Sequence, residues 1–362
     1  MFHVKHSWLH LPARSTEPMS IYWTRVKEGG GQFLPALLIR LTLRVDWLIR
    51  FLIMPVVAGW YLITRTRARH ASREFLQRAL NRPATLRDLY RHFYCFASVI
   101  LDRVFLLSGR ISSYKITVHG LDLLHHHART GRGALLFGAH LGSFESLRAL
   151  ITLENCPVRV RPLMWRQHTG GLSAALDSLN PQAARDIIDI GRASTALDVQ
   201  EALGRGELIG LLADRSHMPQ RMLGVPFLGK TAHFPAGPLL LAAVTAAPVL
   251  LCFGLKTGPR HYTIIIEPFA DRITLPRQNR LGAVQEWLQA FTARLEHHAR
   301  AYPYNWFNFY DFWHTDEGTG ENTLNQPDCQ PDCVVPIGQR SSLSGDSRRP
   351  ETRFPAPRQP AI

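Results

Sequence analysis

The sequence has little cysteine, and its cysteines do not form a disulfide framework. Five of them occur in 362 residues, at positions 95, 156, 252, 329 and 333, without the even number and regular spacing of a disulfide-stabilised domain. Three lie in apolar surroundings typical of reduced, buried thiols. The repeat QPDCQPDC (residues 326–333) has no second cysteine pair and no nearby histidine, so it falls short of a zinc site. No metal and no cofactor is expected.

Acidic residues are scarce relative to basic ones. The chain has 42 Lys and Arg against 28 Asp and Glu, a formal net charge of +14. Such a surplus favours an anionic partner, either nucleic acid or an anionic membrane surface. The basic residues are scattered and no groove-reading motif is present, which argues against nucleic acid. An anionic membrane surface is therefore the expected partner.

The amino-terminal region has neither a secretory signal nor a long uninterrupted apolar run. Residues 1–32 lack a continuous apolar stretch and are expected to be a disordered leader. Residues 33–64 are apolar, but charged residues interrupt their first half, and the uncharged run 51–63 would reach only about 20 Å as a helix. We expect a helical segment on the membrane surface, followed by the basic stretch RTRARHASR (65–73) on the cytoplasmic side. A single span and a buried helical pair remain as alternatives.

Apolar periodicity along the rest of the chain predicts an α/β fold. Helical spacing covers 71–110 and recurs at 143–154, 171–178, 194–205, 236–247 and 281–300. Strand-like runs lie between these helices, at 114–120, 133–138, 158–165, 207–214, 248–254 and 261–269. This alternation predicts a mixed, mostly parallel sheet covered by helices, in a domain over 65–315. The polar composition of 316–362 predicts a disordered tail.

The stretch FGAHLGSFES (137–146) follows a predicted buried strand and contains the candidate catalytic residues. His140 and Glu145 would not share a helical face if both were within a helix. Their side chains can converge if His140 lies in the loop and Ser143 caps a helix that carries Glu145 in its first turn. A carboxylate on one ring nitrogen fixes the tautomer and makes the other nitrogen a better base. A histidine with a purely structural role is the alternative.

Three stretches together resemble the lysophospholipid acyltransferase superfamily, and in particular its lipid A late acyltransferase family. They are GALLFGAHLGSFE, which resembles the motif H-x4-D/E, LMWRQH (163–168), and GELIGLLADRSHMPQRMLGVPFLGKTAHFPAGPLLLA (206–242). The matches run in order over about residues 40–310. The resemblance implies a glycerolipid acyltransferase-like fold at a bacterial inner membrane, with the active site on the cytoplasmic face. It also implies transfer of a fatty acyl chain from acyl-carrier protein or coenzyme A to a hydroxyl of a lipid or glycolipid.

The same resemblance implies roles for individual residues. His140 would be the general base and Glu145 its orienting partner. Contacts with the substrates are implied for Arg166, Asp214, Arg215 and Arg221. A capping role remains open for Asp214, and a solvated surface role for Arg215 and Arg221.

One segment departs from the family pattern. The family tends to end in an arginine-rich stretch, whereas this chain has YPYNWFNFYDFW (302–313), with eight aromatic residues and no base. With this aromatic segment the chain looks more like the acyltransferases of aryl polyene lipid pathways. A lipid A-type acceptor and an aryl polyene-type acceptor therefore both remain open. The segment is expected in the core or at a membrane interface, with lining of an acyl tunnel as an alternative.

Two other functions compete with acyl transfer. The same dyad could activate water on a thioester, although the chain has no G-x-S-x-G elbow of a serine hydrolase. A basic membrane protein that binds lipid without catalysis is the second alternative.

Overall fold

The strands in the described part of the chain form two sheets. The computed structural model describes residues 42–153, 159–165, 176–190, 192–216 and 222–313. Its strands are β1 (Lys115–His119), β2 (Ala134–Gly138), β3 (Val160–Met164), β4 (Ile188–Asp189), β5 (Leu208–Leu212), β6 (Met222–Phe227), β7 (Lys230–Pro235), β8 (Val249–Gly258) and β9 (His261–Ala270).

The larger sheet has seven strands in the order β1-β9-β8-β2-β5-β3-β4. Only β8 and β9 pair in antiparallel fashion, and every other neighbouring pair is parallel. The second sheet is the antiparallel hairpin of β6 and β7. The predicted mixed, mostly parallel α/β sheet is therefore confirmed. The central strand β2 is buried along its whole length, as expected for a parallel strand covered on both faces.

Helices precede the sheet, connect its strands and follow the last strand. They are α1 (Asp46–Thr64), α2 (Thr66–Leu80), α3 (Leu86–Leu107), α4 (Leu121–Thr130), α5 (Phe144–Leu153), α6 (Pro181–Arg185), α7 (Thr195–Gly204), α8 (Gly237–Thr245) and α9 (Arg280–Ala301). A capping box starts α3: the hydroxyl of Thr85 accepts the Asp88 N–H, and the Asp88 carboxylate accepts the Thr85 N–H. These two bonds satisfy amide groups that a helix start otherwise leaves unpaired.

Most predicted elements agree with the structure, and the differences have a local cause. All six predicted strands are present, whereas β4, β6 and β7 were not predicted. β4 has only two residues, and Pro226 and Gly224 in β6 weaken its strand pattern. The leader 1–32, the beginning of the 33–64 segment, most of the helix predicted at 171–178 and the tail 316–362 lie outside the described residues. The predicted domain boundaries stay predictions.

A buried ionic cluster joins α1 to the rest of the fold. Asp102 on α3 is fully buried and forms ion pairs with Arg50 of α1, at 2.8 Å, and with Lys256 of β8. The hydroxyl groups of Tyr114 and Tyr262 each donate to the same carboxylate at 2.8 Å. A buried carboxylate is stable only when cations and donors compensate it in this way. The cluster therefore fixes α1 against α3 and the sheet.

A close backbone approach holds the loop after β2 against β8. Gly142 has φ +80°, and its neighbour Ser143 donates its N–H to the carbonyl oxygen of Gly254 at 2.7 Å. A Cβ atom at Gly142 would overlap that carbonyl group. Both the positive φ and the lack of space therefore require glycine at this position.

We predict that Gly142→Ala destabilises the protein by at least about 1 kcal/mol more than Gly109→Ala, because a side chain forced into a packed region costs about 1–3 kcal/mol. Gly109 is the matched control, since it has φ +78° with open space around its Cβ position. Its replacement therefore reports the backbone strain alone. Urea unfolding of both variants measures the difference, and equal midpoints would contradict the close approach.

Candidate active site

Two neighbouring parallel strands bring the candidate site together. β2 pairs with β5 so that Gly138 lies opposite Leu212, and the N–H of Ala213 donates to the carbonyl oxygen of Gly138 at 2.9 Å. The residues two positions beyond this pair, His140 and Asp214, therefore lie opposite each other. They occupy the carboxyl edge of the sheet, where open α/β sheets bind their ligands.

The imidazole of His140 is held by a buried carboxylate. Nδ1 of His140 lies 2.9 Å from Oδ1 of Asp214, and the backbone N–H of His140 donates to Oδ2 at 3.1 Å. The His140 side chain is 38% exposed and that of Asp214 is 0% exposed. Because the ionised carboxylate only accepts, Nδ1 carries the proton. Nε2 is then the basic ring nitrogen left for a substrate.

Asp214 is ionised despite its burial. Burial raises the pKa of this carboxyl group, but the neighbouring His140 and Arg215 and the His140 backbone N–H outweigh burial, so that the pKa lies well below its usual range. Trp306 adds a further donor, since its Nε1–H donates to Oδ2 at 3.2 Å. A permanently charged carboxylate next to an imidazole both orients the ring and stabilises its protonated form.

Here the structure differs from the expectation for Glu145. Glu145 lies in the first turn of α5, and its carboxylate pairs with Arg103 of α3 at 3.3 Å and with Arg148 at 3.5 Å. No hydrogen bond between Glu145 and His140 occurs among the described contacts. Asp214 therefore takes the position on Nδ1 that the sequence motif suggested for Glu145. The difference arises because the β2–β5 pairing, which joins residues 74 positions apart, is not visible in a local motif.

The remaining predicted site residues divide into two groups. Arg215 lies beside the dyad: its guanidinium donates to the carbonyl oxygen of Phe307 at 2.5 Å and lies over the ring of Tyr310, 5.1 Å from the centroid. It is therefore packed against the protein rather than being a solvated surface residue. Arg166 and Arg221 lie outside the described residues, so their predicted substrate contacts stay predictions.

The aromatic segment 302–313 forms part of the site, a role that was not among those expected from its composition. Gly142 donates its N–H to the carbonyl oxygen of Asn305 at 2.8 Å, and Phe307 donates its N–H to that of His140 at 2.8 Å. Trp306 lies between these bonds, forms a bridge with Leu141 and is fully buried. Its indole N–H reaches Asp214. The segment thus pairs with the histidine loop and packs in the core, in agreement with the core alternative.

This fold and this site define a class of protein: an α/β protein with a carboxylate-oriented histidine at the carboxyl edge of its sheet. Residues 96–315, more than half of the chain, match the family described as bacterial lipid A biosynthesis acyltransferase. The chain belongs to this family and is an acyltransferase. Comparison with curated proteins gave no match.

We predict that Asp214→Asn lowers kcat by about 10²–10⁴-fold, up to the loss expected from removing His140 itself, because an amide no longer selects the tautomer with a proton on Nδ1. Glu145→Gln keeps most of the rate and lowers the melting temperature, since it weakens the ion pairs to Arg103 and Arg148. Steady-state kinetics and thermal melting of both variants test this assignment. A large loss of rate in Glu145→Gln together with an active Asp214→Asn would return the orienting role to Glu145.

Proposed function

We propose that the protein transfers a fatty acyl chain from an acyl thioester to a hydroxyl group of a lipid or glycolipid, with His140 as general base. The thioester belongs to acyl-carrier protein or coenzyme A. The observation that carries the proposal is the buried Asp214 on Nδ1 of His140, at the carboxyl edge of the sheet in a chain of the acyltransferase family.

The reaction has two chemical steps. Nε2 of His140 removes the proton from the acceptor hydroxyl while its oxygen attacks the thioester carbonyl carbon, which forms a C–O bond and a tetrahedral oxyanion. The oxyanion then collapses, the C–S bond breaks, and the proton on Nε2 passes to the leaving sulfur. The products are an ester and a free thiol. Asp214 stabilises the imidazolium that exists between the two steps.

The amino end of α5 is the candidate binding site for the oxyanion. This helix begins at Phe144, four residues after His140, and the first N–H groups of any helix have no partner within the helix. The N–H groups of Gly142 and Ser143 are already used in bonds to Asn305 and Gly254. The N–H groups of the first turn of α5 are thus the candidates to bind the developing negative charge.

A direct mechanism requires no nucleophile from the protein. Ser143 is buried and immediately precedes α5, and the thiol of Cys252 is buried with its pKa raised by burial to about 12. A nucleophile needs activation by a neighbouring base or a lowered pKa, and Cys252 shows the opposite. The acceptor hydroxyl therefore attacks the thioester itself.

The acceptor belongs to lipid A-type or aryl polyene-type lipid biosynthesis. Family membership supports the first. The aromatic segment 302–313, which replaces an arginine-rich ending, supports the second. Both acceptors present a hydroxyl group on an amphiphilic molecule at a membrane surface, so the chemistry at His140 is the same for either.

We propose that α1 holds the enzyme on the cytoplasmic face of the inner membrane as a monotopic anchor. It is the one described helix long and apolar enough, by length and composition, to cross a membrane. Many of its large apolar side chains are exposed, and they include Trp47, Phe51, Leu52, Val56, Trp60 and Ile63. Arg50, by contrast, is buried and pairs with buried Asp102. A helix fixed sideways to the catalytic domain lies along one leaflet.

We predict that replacing Phe51 and Val56 together with aspartate lowers vesicle binding more than tenfold, because burial of each side chain contributes about 1.5–3 kcal/mol. The control replaces Leu197 of α7 and Val244 of α8 with aspartate, since both are apolar and similarly exposed. Co-sedimentation with vesicles of phosphatidylethanolamine and phosphatidylglycerol measures the bound fraction. Equal binding by the two double variants would contradict the role of α1, and resistance of the wild type to carbonate extraction would favour a span.

The activity itself is tested with thioesters of acyl-carrier protein and of coenzyme A that carry a radiolabelled acyl chain, supplied with total bacterial lipid. We expect labelled lipid from the wild type and a rate about 10²–10⁴-fold lower from His140→Ala, the usual contribution of a general base. The control is His126→Ala, since His126 is exposed on α4. Labelled free fatty acid in place of labelled lipid would favour hydrolysis.

The same reagents test the direct mechanism. Intact-protein mass spectrometry after incubation with the thioester alone should show no added acyl chain. A stoichiometric mass gain that disappears in Ser143→Ala would contradict direct attack.

A further inference from the structure

The carboxylate of Asp214 is oriented by an indole as well as by His140. Oδ1 accepts the Nδ1–H of His140 at 2.9 Å, whereas Oδ2 accepts the Nε1–H of Trp306 at 3.2 Å. The carboxylate is therefore held from two sides, and rotation about its Cβ–Cγ bond would break both hydrogen bonds. Trp306, which donates the second hydrogen bond, follows Asp214 by 92 positions in the sequence.

Trp306 is itself fixed by a second histidine. The carbonyl oxygen of Trp306 lies 2.9 Å from Nε2 of His92, and Nδ1 of His92 lies 2.7 Å from the hydroxyl of Ser72. Burial lowers the pKa of His92 to about 4, so the ring is neutral and carries one proton. Because the carbonyl group can only accept, this proton is assigned to Nε2, and Nδ1 accepts from Ser72.

Packing and backbone hydrogen bonds also restrict the orientation of the indole ring of Trp306. It makes edge contacts with Phe75, Phe227 and Phe312, with ring centroids 4.8–5.2 Å apart. The backbone on both sides of Trp306 is hydrogen-bonded to the histidine loop at Gly142 and His140. The indole N–H therefore has a fixed direction, toward Oδ2 of Asp214.

We propose that Trp306 is a positioning residue of the acyl transfer, which acts through Asp214 to hold the ring of His140 in its productive orientation. Its kinetic consequences rest on the proposed function, whereas its effect on the His140 ring does not. A catalytic group displaced by a small distance loses much of its rate advantage. A series of hydrogen bonds through Ser72, His92, Trp306 and Asp214 thus connects α2 and α3 to the imidazole of His140.

The test compares two tryptophans in the same aromatic cluster. Trp306→Phe removes the indole bond to Asp214. Trp313→Phe removes a matched bond, since buried Trp313 donates its Nε1–H to the carbonyl oxygen of Phe227 at 3.2 Å. We expect Trp306→Phe to lower kcat about tenfold with KM unchanged, and Trp313→Phe to lower it less than twofold. Similar losses of rate in the two variants would overturn the proposal.

A double-mutant cycle separates positioning from a general structural effect. In the Asp214→Asn background, Trp306→Phe should lower the remaining rate by less than twofold, because residues that act through one another are not additive. If Trp306→Phe still lowers the rate tenfold in that background, Trp306 does not act through Asp214, and the proposal is overturned.

Nuclear magnetic resonance gives a readout that does not depend on activity. In protein labelled with ¹⁵N-histidine and dissolved in detergent micelles, the Nδ1–H signal of His140 is assigned by its loss in His140→Ala. We expect this signal to shift or broaden in Trp306→Phe and to stay unchanged in Trp313→Phe. An unchanged His140 signal in Trp306→Phe would overturn the proposal, even if no acyl transfer is observed with any acceptor. Failure of the transfer assay alone would instead count against the proposed function.

Discussion

The site depends on the burial of one charged group, the Asp214 carboxylate. An ionised carboxylate without solvent is stable only if fixed donors replace the water. His140 supplies two of these donors, Trp306 a third, and the Arg215 guanidinium adds a positive charge. Since these partners come from the ends of β2 and β5 and from the segment after α9, the carboxylate has all of them only when the two strands and that segment are in place. The active geometry is thus a direct result of the fold.

Helix α1, the proposed membrane anchor, follows the same rule. Asp46 and Arg50 interrupt the apolar sequence of α1, and a charged side chain is costly in hydrocarbon. In the structure both are compensated by the protein, Asp46 by Arg260 and Arg50 by Asp102. The two ion pairs therefore hold α1 against the domain and leave neither charge without a partner.

Local signals predicted what depends on local sequence. The strands around His140 and the helix that starts at Phe144 follow from apolar runs and from the Gly-rich loop, and the structure has them within a few residues. The family resemblance implied that Asp214 contacts the substrates. Its pairing with His140, however, depends on which strands are neighbours. The same limit applies to Trp306, whose aromatic surroundings indicated burial but not its hydrogen bond to the carboxylate.

The position of Glu145 explains why the expected contact with His140 is not seen. Its negative charge at the start of α5 interacts favourably with the helix dipole and is offset by Arg103 and Arg148. Asp214 is similarly offset by Arg215. In the structure Glu145 thus links α5 to α3, whereas Asp214 is the carboxylate hydrogen-bonded to His140.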